Sequence, residues 1–599
     1  MGTVPLKTGS CAQLVVRWYA VLLGVLCFGW PLLLGMREGP ARWIWTVAAC
    51  GLVMLSTAAA YRAAAHAGTV RVTPQRAPWA LFILFAIVVA WAAVFPATSF
   101  SDEAAIALPA LNVLSRIAQV LSWPGILVLT LFVAAFLAWF RAKLRDVHVW
   151  ILLILLAGWS IALLLLHTHA NTVFVRYPPA MQLMQLFSTA VGMGSASLMR
   201  LPNAFWTLLL CIAAWFLTPS FRPSARIATA LAACLTPLGW TYHLLLYQAC
   251  GEITLGLVAV FLLSQIVQRE DGDTLGLYAG MLFGLWILYR PTIIAVVCAT
   301  AIALWILRRR RAAWDTAAVA LPVGLLWVAV YAFGAFQYAF LSGTSDRHFV
   351  LVTPILDTIA AIPDALHPVG LLILLAGSAV VFWRRAADRW PLAIAWLFAI
   401  ANTVPQQLLT IDRWYGYGRF DVFLMLPLAV CAGSLTSWAA DRKRLILIAF
   451  LFAVLVCTTP FSFLSFLQRY RSVSYLSRME RTVTGGVDVT PLPTVVHRLA
   501  AHAGTEVILA PDYSFLDLAI AHGDITVADR TTLLRRSASW TPSSTDRPVI
   551  IQAPRAGMTY RTNISGEQED RLRSAAAWAE KQPGVERVVL GSEQTLIVP

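Results

Sequence analysis

Apolar residues fall in long runs separated by short polar stretches, and this pattern repeats from about residue 15 to about residue 460. Most runs are about 18 to 22 residues long, the length a helix needs to cross a bilayer core with its backbone groups bonded internally. By that length rule there are about fifteen, give or take one or two. The pattern predicts a mainly α polytopic membrane protein with about 13–15 transmembrane helices. The run from Val15 to Leu34 lacks a small-residue cleavage site and leads straight into another run, so it reads as a retained helix rather than a signal peptide. From Ala180 to Phe187 apolar and polar residues recur at helical spacing, which predicts a short amphipathic helix lying in the interface.

After about residue 460 the pattern changes. Residues 461 to 486 read as a connecting helix and linker ending in Gly485-Gly486. Thr494 to Ala503, Tyr513 to Ala521 and Glu567 to Lys581 then read as helices. Glu506 to Ala510, Ile525 to Ala528, Pro548 to Gln552 and Val585 to Leu590 read as short strands. The alternation predicts a small α/β domain with a parallel-leaning sheet and no phosphate-binding loop or dinucleotide fingerprint. The expected organisation is N-terminal transmembrane helices over 1–146, a transmembrane core with outer-face loops over 147–460, and the α/β domain over 461–599.

Composition agrees: 59% of the 599 residues are hydrophobic and 13% charged, against roughly 25% charged in soluble globular chains. The net charge of +15 does not point to nucleic acid, because most arginines sit in short loops between apolar runs. Clusters at 62–76, 141–145, 222–226, 308–311, 384–389 and 442–444 are each separated from the next by an even number of runs, so all are expected on one side. The positive-inside rule makes that side cytoplasmic, with the N-terminus there and the α/β domain extracytoplasmic. The nine cysteines fall in or beside apolar runs and suggest neither a disulfide framework nor a thiolate metal site.

Carboxylates are natural general bases, and few face outward: Glu38, Asp102, Glu103, Glu252, Asp346, Asp357, Asp364, Asp412 and Asp421. Asp102 and Glu103 follow an apolar run in Ser-Phe-Ser-Asp-Glu, where acids also suit the first turn of a helix without any substrate. Glu252 stands at the outer end of a run, where an ionisable group is costly and a functional role is the default hypothesis. Arg176, Arg290, Arg347, Arg413 and Arg419 lie at outer loops or outer run ends. Their planar forks suit a phosphate, although any one of them could instead snorkel to lipid headgroups. His167 and His169 form a weak metal signal and are read as hydrogen-bonding or phosphate-contacting groups. Asp346-Arg347-His348 is either a site element or a solvated turn.

Four local patterns occur in order: Arg176-Tyr177-Pro178-Pro179 with Arg200-Leu201-Pro202, Gly251-Glu252, Tyr289-Arg290-Pro291 after Gly284, and Gly418-Arg419-Phe420 with Pro427. Together they resemble the GT-C superfamily of polytopic membrane glycosyltransferases, which includes protein O-mannosyltransferases and lipid A aminoarabinose transferases. The resemblance covers roughly residues 147 to 460. It implies an enzyme of cell envelope biogenesis in a bacterial inner membrane, transferring sugar with inversion from a polyprenyl-phosphate donor to an envelope glycan, glycolipid or protein acceptor. Membrane lipid would surround it. Asp102, Glu103 or Glu252 would serve as catalytic carboxylates, while His167, His169, Arg176, Tyr177, Arg290, Asp346, Arg347, His348, Arg413 and Arg419 would bind substrate; a divalent metal ion is compatible with this chemistry. One departure stands out: the family's usual aspartate upstream of Tyr-Pro-Pro is missing, and His167, His169 and Asn171 occupy that region. A polytopic transporter or lipid flippase, or a non-catalytic glycolipid-binding protein of the same fold, are the alternative readings.

Overall fold

The computed structural model describes residues 8–29, 40–65, 82, 86, 101–140, 143–165, 179–193, 200–218, 221–236, 238–239, 243, 248–332, 362–363, 366–408, 421–469, 507–509, 549–554, 566–590 and 593–599. The described residues are mostly helical, with a small C-terminal sheet. In chain order the helices are α1 (Thr8–Gly24), α2 (Pro40–Ala64), α3 (Ser101–Phe140), α4 (Asp146–Leu165), α5 (Pro179–Val191), α6 (Leu201–Phe216), α7 (Pro223–Cys234) and α8 (Gln248–Gln268). They continue with α9 (Gly276–Tyr289), α10 (Ile294–Ile306), α11 (Arg310–Ala332), α12 (Pro368–Arg384), α13 (Arg389–Leu408), α14 (Met425–Asp441) and α15 (Leu445–Arg469).

Among the described residues, four helical stretches are long and apolar enough to cross a membrane, or five if the bent pair α12–α13 counts as one. Some apolar runs are interrupted: α6 and α10 have 16 and 13 residues, and α12 and α13 meet at an angle of 119°. A hydropathy run counts apolar residues and is blind to the turns inside it. In the first run, for example, α1 passes into a π-helical turn over Val25–Gly29. In α3, Ser122 adopts φ 61°, just ahead of Pro124, and the helix kinks there.

The core has a centre and a margin. The span Val422–Asp441, mostly α14, is 94% buried by other helices, whereas Ile117–Phe140 of α3 is 6% buried and presents apolar side chains nearly all round. Helix α9 packs against α11 and α11 against α2; α14 lies between α7 and α12. Close approach depends on small residues: Gly276 faces the Ala312 backbone, and Gly377 faces Cys431. That device suits helices whose association gains little from exclusion of water.

The two ends of this helical body differ in chemistry. At one end Gln268 Nε2 donates to the Ala387 carbonyl at 2.7 Å, and Arg309 donates to the carbonyls of Val267 and Arg269. There too Asp441 pairs with both Arg222 and Arg385. The loops near residues 222, 269, 309, 385 and 441 therefore converge, which places four of the basic clusters together as their spacing predicts. A further contact group joins Arg17 to Asp146 and the Leu144 carbonyl. Helix α8 runs from its Gln248 end to the basic end at Gln268, and Gly276 of α9 bonds Thr316 near the start of α11. Gln248 and Tyr289 consequently lie at the opposite end.

The C-terminal strands are β1 (Val507–Leu509), β2 (Val549–Pro554), β3 (Glu586–Leu590) and β4 (Glu593–Val598), with α16 (Gly566–Ala579) packed on β2. Their order is β1-β2-β4-β3. Among the described strands β1–β2 is parallel while β2–β4 and β3–β4 are antiparallel, so this part of the expected parallel-leaning sheet is mixed. The final strand β4 escapes sequence reading because the two-residue connection after Leu590 lets it fold straight back on β3. Helix α15 continues to Arg469, past the expected boundary near 460. The expected elements over 494–503, 513–521 and 525–528 lie outside the described residues.

Candidate functional site

Two of the residues expected to carry chemistry meet. Glu252, in the second turn of α8, is fully buried, and Arg290, which caps the end of α9, is 5% exposed. Arg290 Nη1 donates to both oxygens of the Glu252 carboxylate, and its Nε donates to Thr292 Oγ1 at 3.0 Å. The contact arises because α9 stops at Arg290: the residue turns to an extended conformation (φ −149°, ψ 111°), and Pro291 opens the next turn. The guanidinium thus leaves the helix end and turns toward α8.

The surroundings are aromatic and polar. Tyr289 packs edge-on against Trp206 at 5.2 Å between ring centroids, and a Cβ at Gly251 would meet the Tyr289 ring at 2.6 Å. Glycine therefore lets that ring lie against α8, one residue before the carboxylate. Thr254 Oγ1 donates to the Trp206 carbonyl at 3.0 Å, which ties α8 to α6. Arg200, at the N-cap of α6, is also buried.

Beside the ion pair lies a group that sequence reading missed: Asn203 and Thr207 on α6, Cys250 on α8, and His243 in the connection between α7 and α8. Asn203 Nδ2 donates to the His243 carbonyl at 3.1 Å. The Thr207 hydroxyl lies 2.8 Å from the Asn203 carbonyl and 2.8 Å from His243 Nδ1. A hydroxyl has one hydrogen, so Thr207 either donates to the Asn203 carbonyl and accepts from the His243 Nδ1–H, or donates to Nδ1 itself. The Cys250 sulfur is 3.2 Å from the same nitrogen. His243 Nε2 is buried and without a hydrogen-bond partner. The available signals were the i, i+4 spacing of Asn203 and Thr207 and a histidine nine residues before Glu252. Neither is specific without the fold.

Burial lowers the His243 pKa from 6.5 to about 4. A folded-state pKa below the unfolded value means that the unfolded chain takes up the proton first, so stability is intact above pH 6.5 and declines as pH falls toward about 4. His243→Asn is expected to flatten the melting-temperature profile across that window relative to wild type. Identical slopes for the two proteins would show that this imidazole does not titrate as described.

The remaining expected residues divide into two groups. Asp102 and Glu103 lie in the first turn of α3, as the capping argument predicts, and only their backbone belongs to the described structure. His167, His169, Arg176, Tyr177, Asp346, Arg347, His348, Arg413 and Arg419 lie outside the described residues. Among the described residues no three His, Cys, Asp or Glu side chains converge as a metal site. The Glu252 carboxylate is committed to a guanidinium, so this part of the site does not fit a divalent cation. Helix α5 forms over Pro179–Val191, longer than the expected 180–187. Its polar residues Gln182, Gln185, Ser188 and Thr189 are buried, while Phe187 is exposed. An interfacial helix would turn that polar face to water; here it is turned into the protein.

No family model and no curated protein matches this chain. The functional reading therefore rests on its own residues and on the resemblance of its motifs.

Proposed function

We propose that this chain is a polytopic membrane glycosyltransferase of the GT-C type, moving a sugar from a polyprenyl-phosphate donor to an extracytoplasmic acceptor. The observation that carries this reading is the buried Glu252–Arg290 pair, at the end of the helical body opposite the basic loops. With those loops cytoplasmic, the pair faces the outer side of a bacterial inner membrane, where lipid-linked sugars would be used. The C-terminal α/β domain lies on that same side.

In this reading Glu252 orients Arg290 and stabilises a cation at membrane depth, rather than acting as a free base. Arg290, with Arg176 and Arg419 from the outer loops, holds the donor phosphate and offsets the charge that builds on it as the glycosidic bond breaks. Asp102 or Glu103 accepts the proton from the acceptor hydroxyl as that oxygen attacks the anomeric carbon. The break in α3 at Ser122, inside an apolar run, is the feature that favours a transporter or flippase, since broken spans mark transport sites.

The test is the melting temperature of the purified protein in detergent, with and without undecaprenyl phosphate, for wild type, Arg176→Ala and Arg419→Ala. A ligand that binds the folded state raises the melting temperature by mass action. A saturable rise in wild type, lost in both variants, is expected. A folded protein that shows no rise at any lipid concentration would sink the donor assignment.

A further inference from the structure

Helix α5 is inside out for a helix at a water interface. Its polar positions Gln182, Gln185 and Thr189 recur at i, i+3 and i+7, so they form one stripe, and that stripe is buried. The other side carries Leu183, Phe187 and Val191, which are half-buried or exposed. Part of the stripe is satisfied locally: Gln185 Nε2 donates to Thr189 Oγ1 at 3.5 Å, and Ser188 Oγ donates to the Gln185 carbonyl at 3.0 Å.

Gln182 is different. It is 1% exposed, and neither its amide nitrogen nor its amide oxygen has a hydrogen-bond partner. Withdrawing an amide from water without replacing its hydrogen bonds is costly, and native proteins rarely leave both ends of one unmet. A leucine would fill the position without that cost. Helix α5 also packs on α6 and α9, the two helices that bring Asn203, Trp206 and Arg290 to the site, and on the turn after α1. On its other flank Ala190 clusters with Leu114 and Ile126 of α3.

We propose that Gln182 is a sugar-binding residue, its amide taking the place of water around the hydroxyl groups of the donor's sugar. The inference rests on the glycosyltransferase reading above and adds the part of the site that recognises the uncharged end of the donor. The chemistry selects this class of group. A primary amide presents an acceptor and a donor side by side, as do two neighbouring sugar hydroxyls, whereas a phosphate offers acceptors only and leaves the amide oxygen unmet. The apolar outer side of α5 suits contact with lipid, so the helix can face the bilayer while its polar stripe faces the ligand.

The test compares wild type with Gln182→Leu in detergent by thermal unfolding, using undecaprenyl phosphate alone and undecaprenyl phosphate bearing mannose, glucose or arabinose. At least one glycosylated lipid should raise the wild-type melting temperature above the level reached with the bare lipid phosphate. Gln182→Leu should keep the response to the bare phosphate and lose that increment, with apparent affinity for the glycosylated lipid about tenfold weaker or more. Its ligand-free melting temperature should equal or exceed that of wild type, because a buried unpaired amide has been removed. An increment kept in Gln182→Leu, or absent from wild type with all three sugars, overturns the proposal. So does a fall in ligand-free melting temperature, which would mean that the amide is already paired. No response of wild type to any of the lipids removes the glycosyltransferase reading itself, and the sugar assignment with it.

Discussion

Glu252→Ala is expected to destabilise the folded protein by about 3–5 kcal/mol, because it leaves the Arg290 guanidinium buried without its counter-charge. Arg290→Ala is expected to cost a similar amount for the mirror reason. The two losses should not add: Glu252→Gln combined with Arg290→Met, which removes both charges and keeps most of the volume, should recover most of the stability. Unfolding measured on wild type, Glu252→Gln, Arg290→Met and the double variant checks the account, and a double variant as unstable as the sum of those two single ones would contradict it. The same double variant separates architecture from chemistry. If the pair serves donor binding, stability returns in the double variant while the response to undecaprenyl phosphate stays lost. If it serves only to hold α8 against α9, both return.

A second large effect is expected at Gly377, on α12. A Cβ there would lie 2.5 Å from Cys431 Cβ, 2.7 Å from the Cys431 carbonyl oxygen and 2.8 Å from its Cα. Backbone cannot rotate aside as a long side chain can, so Gly377→Ala must force α12 away from α14, which lies in a stretch 94% buried by other helices. Overpacking of this kind costs about 1–3 kcal/mol. Trimming the neighbour with Cys431→Ala should not rescue it, because the obstructing atoms include the main chain. Gly51→Ala on α2 is the control, since nothing lies within 4 Å of the added carbon; there the gain in helix propensity should leave stability unchanged or raise it by about 0.5–1 kcal/mol. A Gly377→Ala protein that melts with wild type would show that the two helices are not so closely apposed.

Much of this was legible in the residues. Arginine spacing alone anticipated that the loops near 222, 309, 385 and 441 gather at one end, because each apolar run reverses the chain and parity then decides the side. Glu252 and Arg290 stood out because ionised groups are costly at the ends of apolar runs and need a reason to be there. Sequence also placed β1, β2, β3 and α16 to within a few residues, since their apolar runs and turn residues are local signals.

Other features depend on contacts between residues far apart in the chain, and local pattern carries no trace of them. Sequence reading had Glu252 as a base and Arg290 as a phosphate ligand, separate groups; the fold makes them partners, because α9 ends where its capping residue can reach α8, 38 residues back in the chain. It read helix α5 correctly as amphipathic, yet periodicity states that a helix has two faces and not which one is buried. His243, Asn203, Thr207 and Cys250 are ordinary residues until α6 and α8 bring them within hydrogen-bond distance. What the amino-acid order determined by itself is the run of helices, the gathering of the basic loops, and strands β1, β2 and β3 of the C-terminal sheet, all set by hydrophobicity and local turn chemistry. Which polar groups pair, and which one is left with both ends of its amide unmet inside the protein, was decided only when the helices packed.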